Sequence, residues 1–191
     1  ADQKQFINNI HDSAQRMTNL IERLLALAAV ENKNHLEHTE KIDLPSLIKR
    51  LLASREVQLQ QKQLHIDFQV DDEIIIQGEP TLLSQSLANL LDNAIDFSKT
   101  HSTIKIAIHK VINEKQKSCK ITLHDGGDGI ADFAKARLFE RFFSTPRPHS
   151  QQRSSGLGLA FVKEAIQLHG GTVNLENHPD GGAIATLILP I

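Results

Sequence analysis

The 191-residue sequence contains no tryptophan and no tyrosine, and it has one cysteine and one methionine. A lone cysteine, Cys119, rules out an internal disulfide framework and suits a reducing compartment. Because it heads a strand-like run, it reads as a small apolar core residue. Lysine and arginine number 21 against 23 aspartates and glutamates, a formal charge of −2, so there is no basic field for a nucleic-acid partner. No run of 18 apolar residues exists to span a membrane, and no charged-then-apolar signal pattern opens the chain. The start, Ala1-Asp2-Gln3, lacks an initiator methionine and enters a helical pattern almost at once, which is the expectation for a piece of a longer protein. The ten histidines show no metal-binding spacing. What is present, 40% hydrophobic and 23% charged residues, is the composition of an ordinary globular domain.

Hydrophobic periodicity divides the chain. Residues 3 to 33 predict one long amphipathic helix, with Phe6, Ile10, Ser13, Met17, Leu20, Leu24 and Leu27 at alternating four- and three-residue steps. That narrow seam wants a partner, a missing helix or a second copy. A polar end and a short linker run to Ile42. Asp43 is placed as an N-cap with Pro45 in the first turn of a helix carrying Leu44, Leu47, Ile48, Leu51, Leu52 and Val57. Strands are predicted at 64–70 and 73–77, and a helix from Thr81 to Ser98. A hairpin follows, from 103–111 and 119–124 around a polar loop at 113–118. Residues 131–143 read as partly helical, 144–154 as a mobile polar loop, and 158–168 as a helix closed by Gly170-Gly171. Strands at 172–177 and 183–189 complete an α+β arrangement, helices on one face of a mixed sheet.

Four stretches carry chemistry. In Asn89-Leu90-Leu91-Asp92-Asn93-Ala94-Ile95-Asp96-Phe97, the polar residues Asn89, Asn93 and Asp96 fall at i, i+4 and i+7 beside an apolar face. Asparagine and aspartate are poor helix formers, whereas a carboxamide oxygen suits Mg²⁺. Asp125-Gly126-Gly127-Asp128-Gly129-Ile130 follows a strand; Asp125 could accept from an exocyclic amine, and Gly127 and Gly129 permit positive φ and close approach of a ligand. Ser155-Gly156-Leu157-Gly158-Leu159-Ala160 opens a helix, where free N–H groups and the dipole favour an anion. Leu138-Phe139-Glu140-Arg141-Phe142-Phe143 precedes the polar loop and reads as a hinge. Taken singly, each also has a plain reading: a solvated face, a turn, an N-cap, ordinary core.

Their order and spacing resemble the N, G1, F and G2 boxes in the ATP-binding domain of sensor histidine kinases, from about Leu44 to Ile191. The resemblance implies the Bergerat (GHKL) fold, a two-layer sandwich of mixed β-sheet and helices shared with gyrase-type ATPases, and ATP and Mg²⁺ as ligands. It implies that Asn93 holds Mg²⁺ and that Asp125 reads the adenine amine. Gly127, Gly129 and Ile130 would shape that pocket, with Thr186 completing the adenine side through a water. Gly156, Gly158 and Leu159 would lie at the phosphates, Arg153 would be a lid contact, and Phe142 and Phe143 would anchor the lid. Asn89 stands where the hydrolysing relatives carry a glutamate base, and an amide cannot take a proton from water. That favours phosphoryl transfer to a protein side chain, with Asn89 and Asn93 as the catalytic pair.

One departure stands out. At Asp96 the family commonly has a basic residue near the phosphates. A carboxylate at about 5 Å from a phosphate charge would be repelled by roughly 3 kcal/mol at an effective dielectric of about 20. Asp96 is therefore expected to avoid the phosphates, binding a Mg²⁺ water or pairing with Arg141 or Arg153. No H-E-x-x-x-P phosphoacceptor box occurs, and His11 reads as a solvated flank. Residues 1–35 are thus expected to be the second helix of a dimerisation hairpin, 36–43 a linker, and 44–191 the catalytic domain. On this reading the piece binds Mg-ATP without phosphorylating itself. The intact protein would be a homodimeric inner-membrane sensor, this part cytoplasmic, that phosphorylates its own histidine and passes the group to a response regulator. The alternatives are a gyrase-type ATPase module and a non-enzymatic interaction module descended from a kinase.

Overall fold

Alternating isoleucines build the centre of the molecule. In the computed structural model, which describes residues 2–71, 73–113, 116–146 and 154–191, strand β4 (Thr103–Asn113) and strand β5 (Gln116–His124) form an antiparallel hairpin. Ile104, Ile106, Ile108, Ile121 and Leu123 all point to one face and are buried, as the two-residue period of a strand requires. Strand β2 (His65–Val70) joins β4 in parallel, and β7 (Ala183–Pro190) and β6 (Thr172–Asn177) extend the other side antiparallel. The order is β2-β4-β5-β7-β6.

Three helices cover the apolar face: α2 (Leu44–Ala53), α4 (Pro80–Phe97) and α6 (Gly158–Leu168). Their buried residues, among them Leu44, Ile48, Leu87, Leu91, Ala94, Val162 and Ile166, form one cluster with the sheet. This is the expected α+β two-layer sandwich with a mixed sheet. Asp43 caps α2 as the sequence predicts, accepting from Ser46 N–H at 3.1 Å, with Pro45 in the first turn. Cys119 is buried on β5, and burial pushes its thiol up to about 11, so it stays a protonated core group.

Three details differ from the sequence reading. The expected linker contains strand β1 (Glu40–Asp43), which pairs antiparallel with β3 (Ile75–Gly78) in a separate two-stranded sheet. The helix drawn through Val57 breaks after Ala53, and a short α3 (Glu56–Gln61) leaves Val57 exposed. Arg55 sits at the break and is drawn to α4, its Nε donating to Asp92 at 2.6 Å. The hairpin loop is also shorter than expected, because pairing runs on to Asn113 opposite Gln116.

The arm, α1 (Asp2–Glu31), is one helix as predicted. Most of its seam is exposed, including Phe6, Ile10, Met17, Leu20 and Leu24. Its last turns are not. Leu27 and Val30 are buried in a second cluster with Leu82 of α4 and Leu157, Ala160, Phe161 and Ala165 at α6. Just beyond the helix, Lys33 Nζ donates to both carboxylate oxygens of buried Glu79, at 2.8 and 3.1 Å. Among the described residues no helix is long and apolar enough to cross a membrane.

Candidate nucleotide site

Residues of α4 and α6, together with the loop after β5, line a cavity of about 430 Å³, within the range of small-molecule sites. Asn89 and Asn93, one turn apart on α4, line one wall. The Asn89 amide Nδ2 donates to the Gly158 carbonyl at 3.3 Å, tying α4 to the first turn of α6. Gly156, Gly158 and Leu159 line the adjoining wall. Gly156 has φ +66, and a Cβ there would fall 2.5 Å from the Phe142 carbonyl carbon, so the close approach demands glycine.

A further part of the lining is built by the loop after β5, where the Asp125 Oδ1 accepts from Gly127 N–H at 2.9 Å and Ala183 N–H at 3.0 Å. Burial raises the Asp125 carboxyl above the usual range, and these two N–H bonds work in the other direction. With Oδ1 committed to the backbone, Asp125 is held in one orientation at the cavity wall. Gly129 (φ +82) and Ile130 line the wall beside it. Gly127 does not line it. A Cβ at 127 would meet the Phe97 carbonyl oxygen at 2.6 Å, so this glycine serves the packing of the loop on the end of α4.

Sequence reasoning missed several contributors. Asn177 on β6 clamps Ile130 from both sides: its Oδ1 accepts from Ile130 N–H at 2.5 Å and its Nδ2 donates to the Ile130 carbonyl at 3.0 Å. Asp128 is held by Lys99 in an ion pair. Gly182 (φ +74) passes so close to Asp125 that a Cβ would lie 2.0 Å from the Asp125 carbonyl oxygen. Arg23 reaches the cavity from the arm. The Gly-Gly doublet at 181–182 and Asp128, inside the stretch 125–130, left a local signal; Asn177 and Arg23 meet their partners across dozens of positions.

The expected placements of Thr186 and Phe142, like that of Gly127, are corrected, and that of Asp96 is narrowed. Thr186 does not reach the cavity. It lies between Ala185 and Leu187, which face the core, and is aligned with Thr122 and Asn174. Alternation therefore turns it to the sheet face away from the helices, and Ala183 lines the cavity from β7 instead. Phe142 is 62% exposed with φ +63. Its contact with the site is through its backbone, Phe142 N–H donating to the Gly156 carbonyl at 2.9 Å, while Phe143 lines the cavity with the Arg137 guanidinium 4.6 Å from its ring. Asp96 borders a separate groove with Gln58, Gln61, Lys62 and Asp92. Three residues turn a helix about 60° short of a full revolution, which carries Asp96 from the Asn93 side toward Asp92. Arg141, offered as its partner, pairs with Glu31 of the arm at 2.6 Å. Arg153 lies outside the described residues.

The donor chemistry fits a nucleotide. Amide side chains, a helix N-terminus with glycines and one oriented carboxylate converge on a wall otherwise lined by Ile130, Leu138, Phe143, Leu159 and Leu175. Among the described residues no cluster of three or more histidine, cysteine or acidic groups could hold a metal by itself. Asn93 supplies a carboxamide oxygen, the kind of ligand that Mg²⁺ shares with water and phosphate.

Comparison with known proteins places the sequence and the fold in a family. Residues 78–191 match the family of histidine kinase-, DNA gyrase B- and HSP90-like ATPases. The chain is 40% identical over 185 residues to the sensor protein CreC of Escherichia coli (strain K12), covering 97% of this chain and 38% of that one. It is 30% identical over 184 residues to the heme sensor protein HssS of Staphylococcus saprophyticus, covering 96% and 38%. The fold matches the Acinetobacter baumannii histidine kinase AdeS at a TM-score of 0.77 and 24% identity, covering 96% and 83%. The chain thus spans well under half the length of these curated relatives. By its match over residues 78–191, more than half of its length, the chain belongs to the family of histidine kinase-, DNA gyrase B- and HSP90-like ATPases.

Proposed function

We propose that this chain binds Mg-ATP in the α4–α6 cavity and presents its γ-phosphoryl group to a histidine lying outside residues 1–191. The observation that carries the reading is that Asn89 and Asn93 line the same cavity as Asp125 and the first turn of α6. Bound Mg²⁺, held through Asn93, would neutralise phosphate charge. Asp125 accepts from the adenine amine, and the first turn of α6 receives the phosphates. An imidazole nitrogen of the acceptor attacks the γ-phosphorus, the bond to the β-γ bridging oxygen breaks, ADP leaves, and the imidazole proton passes to water. Asn89 lacks a basic lone pair at neutral pH, so water is not activated and the phosphoryl group is kept for the histidine. In the intact homodimeric protein the group then moves to a response-regulator aspartate. Residues 1–35, read as the second helix of the dimerisation hairpin, would join this domain to segments that reach the membrane.

Titration with a fluorescent ATP analogue tests the site, since the chain has no tryptophan or tyrosine to report. Magnesium-dependent binding is expected, weakened at least about tenfold by Asn93→Ala and by Asp125→Asn, the loss of about 1.4 kcal/mol or more. A separate segment bearing the first hairpin helix and its histidine should become labelled from γ-labelled ATP. ATP binding without any such labelling would remove the kinase reading, and rapid release of inorganic phosphate would favour the gyrase-type ATPase.

A further inference from the structure

The cavity wall carries three carboxylates, Asp92, Asp125 and Asp128, yet a triphosphate is to sit there. Each carboxylate is engaged: Asp92 by Arg55, Asp128 by Lys99, and Asp125 by backbone N–H groups. Among the described lining residues a single side chain is cationic, and it is Arg23. It comes from the arm rather than from the nucleotide-binding domain. Its Nη1 donates to the Ser155 hydroxyl at 3.3 Å, a neutral acceptor adjoining Gly156 at the anion-favouring mouth of α6. Asp96, where the histidine kinase resemblance would put a basic residue, borders the other groove.

The placement of Arg23 follows from the arm's docking. Arg23 and Leu27 are i and i+4 and share a helix face. Leu27 is buried against the second cluster, which includes Leu157 and Phe161. Anchoring one residue therefore sets the other above Ser155.

We infer that Arg23 binds the terminal phosphate of ATP, supplying from the arm the positive charge that Asp96 does not, so that γ-phosphate recognition requires the docked arm. This rests on the ATP-binding reading above. A guanidinium fork is well matched to phosphate oxygens, and the exposed side chain can turn from Ser155 to a ligand without disturbing the core.

Calorimetric titrations of the whole chain with Mg-ATP and Mg-ADP test the inference, using the parent and Arg23→Gln and Arg23→Lys variants, with Asn93→Ala beside them. Circular dichroism and thermal melting establish that Arg23→Gln is folded. The expected result is a loss of about tenfold or more in ATP affinity for Arg23→Gln, a change of less than about twofold for ADP, and partial recovery of ATP affinity in Arg23→Lys. A purely structural role would shift both nucleotides together and gain nothing from lysine, and that outcome overturns the inference. ATP binding that needs Asn93 but is indifferent to Arg23→Gln overturns it too, leaving the site intact. Failure of the parent to bind either nucleotide removes the ATP reading and the inference with it.

Discussion

Asn177 fixes both backbone groups of Ile130 from across the sheet edge, at 2.5 and 3.0 Å, and through them the loop that carries Asp125. Asn177→Ala would leave an N–H and a carbonyl without these partners at a half-exposed position. The expected cost is about 1 kcal/mol of stability, read by chemical denaturation, with a larger proportional loss in binding of a fluorescent ATP analogue. Unchanged binding would mean that the Ile130 loop holds its shape unaided. Nothing in the run Thr-Val-Asn-Leu-Glu-Asn announces this role, because the partner lies 47 positions away. Asp125 was legible, since a carboxylate between a strand and a glycine-rich turn is a local pattern. Thr186 was misplaced for the opposite reason: its face depends on the register of β7 against β5, and a shift of one residue reverses every side chain.

At the scale of elements, α4 shows what a helix pattern reveals and what it conceals. Its apolar stripe and the Asn89–Asn93 step are written in the sequence. The fate of its last turn is not, because Lys62 arrives from beyond α3 to donate to the carbonyls of Ile95, Asp96 and Ser98 at 2.7, 2.7 and 3.3 Å. A cation on the last carbonyls of a helix satisfies acceptors that have no intrahelical partner and complements the dipole. Lys62→Met keeps the stem and removes the donors. It should lower stability by about 1 kcal/mol and speed hydrogen exchange at the amides near Ser98, with little change at Leu83 to Leu87. Uniform acceleration along α4 would show a global effect instead. Strand β1 escaped sequence reading because Glu-Lys-Ile-Asp offers a single buried residue, Ile42, and its partner β3 lies more than 30 positions on. The break between α2 and α3 was hidden similarly: it follows Arg55's reach to Asp92 rather than any proline or glycine.

Across the whole molecule, the arm and the domain meet where two buried ionisable groups adjoin, Glu79 and His169. His169 Nδ1 donates to the Ala165 carbonyl at 2.7 Å and Nε2 accepts from Glu79 N–H at 2.9 Å, so the neutral imidazole is the form that fits. Burial pulls its pKa below the ordinary 6.5, though the Ala165 bond and nearby Glu79 oppose the change. For Glu79, burial alone would raise the carboxyl, but Lys33 and the Glu37 N–H outweigh it and leave the net value below the ordinary 4.5. Both folded-state values are depressed, so in both cases the unfolded chain binds protons first as pH falls. The His169 contribution is complete above about pH 6.5 and is lost below it, down to its depressed folded value. The Glu79 contribution is complete above about pH 4.5 and is lost in the more acid range. Asp125, whose burial raises its pKa, acts in the opposite sense and favours the fold slightly as it protonates. Melting temperature should therefore fall in two acid steps, the first separable from the second. In His169→Gln the first step should vanish, with a lower but flatter melting temperature from pH 7 to 5. In Glu79→Gln the second step should shrink, and the arm should loosen because Lys33 is left with the more distant carboxylate of Glu37, which limited proteolysis after Lys33 would detect. A first step that persists in His169→Gln would assign it to another histidine. Loss of both steps in Glu79→Gln would mean that arm docking, rather than either titration, controls acid stability.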